Sequence, residues 1–341
     1  MTANKILVPQ PLALVIGATG GLGYEVAQTL QTHGWRVRAL HRDSVQARRK
    51  SNLPATIEWM AGDAMNPADV VAAAKDVCLI VHAANPPAYR NWRGLAIPML
   101  ANTIAAARTN DARIVIPGNV YNFGPDAWPL VKESSPQHPL TRKGQVRVEM
   151  EAMLEREART GVRSLIVRAG DFFGPSQPAS WFKDVMVKPG KELRSVTYPG
   201  VRDVGHAWAY LPDLAEAIVR LVEKEAMLDA FETVNFGGYW LARGDEIAKS
   251  IGRVIGRPDI PIKSLPWILF SFAWPFWGFA RELLEMRYLW QVPLRLDNAK
   301  LVALLGEEPH RPLDAAIGET LAALGCLSKG RRPGEYAALA A

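Results

Sequence analysis

The chain has few of the residues that build metal sites or staples. Of its 341 residues only two are cysteines, Cys78 and Cys326, far apart and without a C-x-x-C or Cys/His ligand spacing. Neither a zinc site nor a disulfide framework is expected. It also lacks any Lys/Arg run interleaved with aromatics, which argues against a nucleic-acid partner. No internal repeat or low-complexity tract is present. The first residues hold no charged segment followed by an apolar stretch and cleavage site, so a cytoplasmic location is expected. Nor is charge strongly one-sided: 40 Lys and Arg against 34 Asp and Glu give +6, scattered along the chain. That balance favours anionic ligands or serves solubility alone.

What is present begins with Leu12-Ala13-Leu14-Val15-Ile16-Gly17-Ala18-Thr19-Gly20-Gly21-Leu22-Gly23, an apolar run that breaks into glycines and then into a helical pattern from about Tyr24 to Thr32. An unbroken apolar run suits a buried parallel strand. Glycines allow a sharp turn and let main chain approach a ligand. A helix starting there points free N–H groups and a positive dipole end at that ligand, which suits a pyrophosphate. Further apolar runs predict strands at 35–40, 57–63, 77–81, 113–116, 164–167 and 231–238, alternating with helical patterns such as 92–109. This alternation implies an α/β fold with a doubly wound parallel sheet. The length leaves room for a second, smaller lobe.

The glycine spacing is G-x-x-G-x-x-G and not the G-x-G-x-x-G of the general dinucleotide fingerprint. It resembles the opening of the extended and atypical short-chain dehydrogenases/reductases, the epimerase/dehydratase-like branch of that superfamily. The resemblance covers residues 10 to 325 and implies a Rossmann-type domain over 1–175, to which 206–236 return, and a mostly helical substrate lobe from 176–205 and 237–341. Cofactor contacts are then expected from Gly17, Thr19, Gly20, Gly21, Leu22 and Gly23. The end of the second strand holds His41 and Arg42, and an arginine there accommodates a 2′-phosphate, whereas a carboxylate would bind the ribose hydroxyl. Asp43 follows, so NADP is the expected cofactor and NAD the alternative. In this family a Gly-Asp such as Gly62-Asp63 lies beside the adenine, making Asp63 and Ala64 candidates, although an Asp at a strand end also caps helices. His82-Ala83-Ala84-Asn85 leaves the fourth strand with small residues, Ala83 and Ala84, where ribose and phosphates should pass. Ala169-Gly170-Asp171-Phe172 resembles the segment that runs under the nicotinamide, implicating Gly170 and Phe172, with Asp171 as a substrate contact or turn cap.

The family normally carries Ser or Thr after the fifth strand and a Tyr-x-x-x-Lys on the next long helix, where lysine lowers the phenol's pKa and tyrosine passes a proton as hydride moves. No Tyr-x-x-x-Lys occurs in this chain. Tyr89, Tyr198 and Tyr239 are each followed by Arg four residues on, but none lies in that helix. Fitting Pro139 and Glu149 to the family frame P-x-Y-G-x-S-K-x-x-x-E puts Thr141 in place of tyrosine and Gln145 in place of lysine, and Pro117 in place of the hydroxyl. Gln145 is left as a ribose contact. The substitute chemistry then falls to Tyr121, with Asn119 to orient a carbonyl and Thr141 to hydrogen-bond. His206 is a further candidate for touching substrate, against a structural role.

Val146, Met150, Met153 and Leu154 make one apolar stripe. In the resembled family this helix builds a homodimer interface, and packing within one subunit explains it equally. The seventeen residues from Ser264 to Ala280 carry no charge and seven aromatics. A transmembrane span is disfavoured, because roughly twenty residues are needed and Pro266 and Pro275 interrupt. An interfacial membrane patch flanked by Lys263 and Arg281 is one reading. The favoured one is an aromatic wall lining a pocket for a small molecule with an apolar portion. The expected function is an NADP-dependent oxidoreductase or epimerase-like enzyme acting on a carbonyl or alcohol. Its rival is a non-catalytic NAD(P)-binding redox sensor.

Overall fold

The computed structural model describes residues 10–86, 91–273 and 283–327. Its centre is a seven-stranded parallel sheet. Five strands come first in the chain: β1 (Leu12–Ile16), β2 (Arg36–His41), β3 (Glu58–Ala61), β4 (Leu79–His82) and β5 (Arg113–Asn119). After the short β6 (Leu130–Val131) come β7 (Ser164–Ala169), then β8 (Asp171–Phe173), β9 (Val196–Tyr198), β10 (His206–Tyr210) and β11 (Phe231–Asn235). The order across the sheet is β11-β7-β5-β4-β1-β2-β3. It reverses between β1 and β4, and in open α/β sheets ligands bind at the carboxyl ends beside such a reversal.

The inner strands β1, β4 and β7 are buried on both faces, as a parallel sheet sandwiched by helices requires, while the edge strand β3 is not. Within β1, Ala13 and Val15 enter one core while Leu12, Leu14 and Ile16 enter the other. The helices α1 (Gly21–Thr32) and α6 (Leu211–Val222) cover the first face. The helices α3 (Pro67–Ala73), α4 (Trp92–Asn110) and α5 (Arg142–Ala158) cover the second. A third core holds Phe173, Phe182, Tyr198, Trp208, Tyr239 and Trp290, and belongs to the lobe built on β8, β10 and β12 (Tyr239–Leu241).

Two short helices lie where the sequence reading had none. The helix α2 (Ser44–Lys50) starts from Asp43, whose side chain accepts the Gln46 N–H at 2.8 Å, and α3 starts from Asn66 with Pro67 in its first turn. Asp and Asn at the N-cap and Pro in the first turn are the residues that helix starts favour. The uncharged aromatic stretch gives a strand at Ile262–Ser264 and a helix at Trp267–Ala273, while 274–280, and with them Pro275, lie outside the described residues. Its described part does not form the pocket wall itself. Trp267 packs on Trp181 and donates its indole N–H to the Pro199 carbonyl, but Ile268, Leu269 and Phe272 are 66%, 61% and 76% exposed. A seven-residue helix at the rim turns only one side inward, so the other side meets solvent. Among the described residues, no helix is long and apolar enough to cross a membrane.

Candidate functional site

The glycine turn is held by its own packing. Gly17 has φ of +98°, and a Cβ there would stand 2.7 Å from the Ala83 carbonyl carbon. Only glycine meets both demands. The Gly20 N–H donates to the Gly17 carbonyl at 2.9 Å, closing the turn that starts α1. The helix opens within the glycines and not at Tyr24, so its first N–H groups belong to Gly21, Leu22 and Gly23. No side chain caps them and no acidic residue stands in the first turn. Beside Gly20, a Cβ would find the Gly17 carbonyl at 3.3 Å and nothing else within 4 Å. An uncapped helix end with open space before it has the shape and the sign for a pyrophosphate. Thr19 lies on the rim of a second cleft, with His41, Gln46 and Lys50 opposite.

At the end of β2, Arg42 is exposed and His41 is turned onto its own loop, its Nδ1 3.0 Å from the Asp43 N–H. The Asp43 carboxylate is engaged as the cap of α2. Asp63 turns one oxygen to the Met65 N–H at 3.0 Å, and the Ala64 carbonyl accepts from the Asn102 amide at 2.9 Å. Both therefore belong to a rigid loop at the end of β3. Ala84 is half-buried and packs against the second core, beside Ala83.

At the other end of the cleft, Tyr121, Lys143, Asp171, Phe172, Gln177 and Trp181 line a cavity of about 130 Å³, closed behind by Leu283 and Met286. Asn119 caps the turn after β5, its side-chain oxygen accepting the Tyr121 N–H at 3.0 Å. Gly170 has no room for a side chain, because a Cβ would stand 2.3 Å from the Ala207 carbonyl oxygen. The Asp171 carboxylate lies 2.7 Å from the His206 Nε2, and the His206 ring stacks on Trp290 at 4.0 Å. Thus Asp171 faces the cavity while His206 is buried behind it.

The structure does not bring Gln145 to this cavity. It is exposed on the far side of α5, and Thr141 is the buried cap of that helix, accepting the Gly144 N–H at 3.0 Å. The face of α5 turned inward carries Lys143, Arg147 and Glu151, one turn apart and only 4%, 8% and 6% exposed. Lys143 pairs with Glu285 at 3.3 Å. Arg147 donates to the Asn85 side chain at 3.0 Å and the Pro117 carbonyl at 3.3 Å, over the Trp92 ring. Glu151 holds Arg168 of β7 in a two-pronged pair, the shorter contact 2.7 Å. Sequence reasoning passed over Lys143 and Arg147. The signal was Gly144: the family frame also fits two residues later, with Gly144 after the first position and Glu151 four after the second, although the proline is then early.

His82, at the end of β4, is fully enclosed. Burial, with the Arg147 charge adding to it, pushes its pKa down to about 4, so the ring is neutral and shares a 2.8 Å hydrogen bond with Thr103.

The same chain features recur in known proteins. The protein y4nL of Sinorhizobium fredii is 28% identical over 278 residues, 74% of each chain. The crystal structure of L-threonine dehydrogenase from Clostridium difficile superposes with a TM-score of 0.72 at 20% identity, over 92% of this chain and 98% of that one. UDP-glucose 4-epimerase from Bifidobacterium longum, solved in complex with NAD+ and UDP, gives 0.69 at 15% identity over 92% and 97%. At these identities the structures share the fold. The model of the NAD dependent epimerase/dehydratase family matches residues 13–237. With the larger part of its length matched, from β1 to the end of β11, the chain belongs to the NAD dependent epimerase/dehydratase family.

Proposed function

We propose that the protein is an NADP-dependent oxidoreductase or epimerase-like enzyme that moves a hydride to or from a small carbonyl or alcohol with an apolar portion. The observation that carries this reading is the cavity beside Asp171 and Phe172, at the carboxyl edge of the sheet and one side chain away from the uncapped start of α1. Gln177 joins the two, lining the cavity and lying against Gly21. The nucleotide, when bound, supplies or takes up the hydride at its nicotinamide ring. Gly20, Gly21, Leu22 and Gly23 would hold its pyrophosphate by main-chain N–H groups, with Asp63 and Ala64 beside the adenine and Gly170 and Phe172 beside the nicotinamide. Arg42, next to His41 in the chain, supports a 2′-phosphate, because the Asp43 carboxylate is engaged by α2.

The cavity also narrows the substrate. Its lining is mostly apolar, with Phe172, Trp181, Val185, Leu283 and Met286 among it, which suits a substrate with an apolar portion. Among the described residues lining it there is no arginine, while Asp171 and Asp184 both face it. Two carboxylates and one lysine favour a neutral substrate over a diphosphate. Tyr121 is placed to hydrogen-bond the substrate oxygen; Asn119 holds the Tyr121 main chain and Thr141 the start of α5, both acting as positioning residues.

Calorimetry with each nucleotide tests the reading. NADP should bind about tenfold or more tightly than NAD, and Arg42→Ala should erase the difference, the order of magnitude for losing one charge-assisted phosphate contact. Binding of neither nucleotide would sink it. The exchange of the family's tyrosine and lysine favours a second reading, a redox sensor without turnover. Tight nucleotide binding with no oxidation or reduction across a panel of aldehydes, ketones and alcohols would establish that instead.

A further inference from the structure

We infer that Lys143 is the proton-transferring residue of this site, with Arg147 one turn later holding the position that the family gives to lysine. The inference rests on the proposed hydride transfer and assigns its acid. Three observations converge on it. Among the described residues Lys143 is the cationic side chain that lines the cavity, only 4% exposed although lysine is among the residues least often buried. Its neighbour Gly144 is dictated by contact: a Cβ there would stand 2.2 Å from the Tyr121 carbonyl oxygen and 2.5 Å from Pro139. That contact locks the start of α5 onto the segment following β5, so residue 143 is held at the cavity wall. Finally, Arg147 is tied to Asn85 and to the Pro117 carbonyl, bridging the ends of β4 and β5 at the edge of the cleft.

The chemistry of the exchange is conservative. An ammonium and a phenol are acids of similar intrinsic strength, about 10.4 and about 10 in model peptides. In the reducing direction, hydride arrives at the carbonyl carbon, the C=O π pair moves to oxygen, and an N–H bond of the Lys143 ammonium breaks as the new O–H bond forms. The neutral amine is then reprotonated from water. Glu285, 24% exposed and 3.3 Å from the Lys143 Nζ, links the buried amine to solvent and favours its recharging.

The test uses the full chain with NADPH and compact apolar carbonyls such as hexanal and benzaldehyde. Lys143→Met should lower kcat roughly 100-fold or more, the range for a general acid. The NADPH Kd from calorimetry should stay within about threefold, on the order of 0.7 kcal/mol. Lys143→Tyr, which restores the family's acid, should recover most of that loss. A smaller fall in Lys143→Met, or Lys143→Tyr no more active than Lys143→Met, would overturn the role while leaving the function standing. Wild-type protein inert toward every carbonyl and alcohol would overturn the function itself, and the role with it.

Discussion

The glycine turn and the start of α5 present different kinds of group at the edge of the sheet. At the glycine turn the groups offered are main-chain N–H donors, and the side chains are absent because there is no space for them: Gly17 at positive φ lies against Ala83, and Gly23 would drive a Cβ to 2.3 Å from the Gly17 carbonyl oxygen. At the start of α5 the groups are side chains, and there the family's tyrosine and lysine are exchanged while the scaffold around them persists. The difference is that backbone recognition leaves little freedom in sequence, whereas a side chain can be replaced by another of similar reach and acidity. Gly144 and Glu151 belong to the scaffold. Lys143 and Arg147 belong to the chemistry.

Arg168→Met should produce the largest effect and falls entirely on the substrate end. It leaves Glu151 buried with only Gln137 as partner, and breaking a buried pair in this way costs roughly 3–5 kcal/mol, to be read from urea unfolding. If stability is unchanged, α5 is not anchored through that pair and the contrast with the rigid glycine end weakens.

His82 gives the next effect. Folded, its ring takes a proton only near pH 4; unfolded, near pH 6.5, so between these values the unfolded chain binds one proton more. Stability is therefore complete above about pH 6.5 and falls as pH drops through the window, by about 2 kcal/mol between pH 7 and pH 5. His82→Asn should flatten that slope, and an unchanged slope would place the acid sensitivity elsewhere.

Gly17→Ala sharpens the comparison from the other side. Strain at a positive φ, with the close approach to Ala83, should cost roughly 1–3 kcal/mol of stability. Nucleotide affinity should fall more than about tenfold through displacement of the first N–H groups of α1, each such hydrogen bond to a charged group counting about 1.5–3 kcal/mol. Calorimetry showing full affinity would mean that the turn tolerates a side chain and that the backbone cradle is looser than its geometry indicates.

Much of the nucleotide half was legible because its signals are local. A strand buried on both faces must be apolar throughout, as Leu12–Ile16 is, and a turn that needs positive φ displays glycine, as Gly17 does. Reading the first helix from Tyr24 missed one turn because its opening residues are the glycines themselves. At the start of α5 the sequence leaves two registers open, for a different reason. Fitting Pro139 and Glu149 selects Thr141 and Gln145, and fitting Gly144 and Glu151 selects Lys143 and Arg147; both registers satisfy a linear pattern. What separates them is which side of α5 meets Tyr121 and β5, a matter of rotation about a helix axis.

By itself, the order of residues determined the parallel sheet, the glycine cradle and the replacement of the family's acid, since each follows from short-range periodicity, backbone stereochemistry or simple absence. Tertiary packing alone decided that Gln145 faces water and that Lys143 meets the cavity beside Glu285. Those outcomes depend on contacts between segments 142 residues apart, where burial selects one face of a helix that local sequence leaves equally able to turn either way.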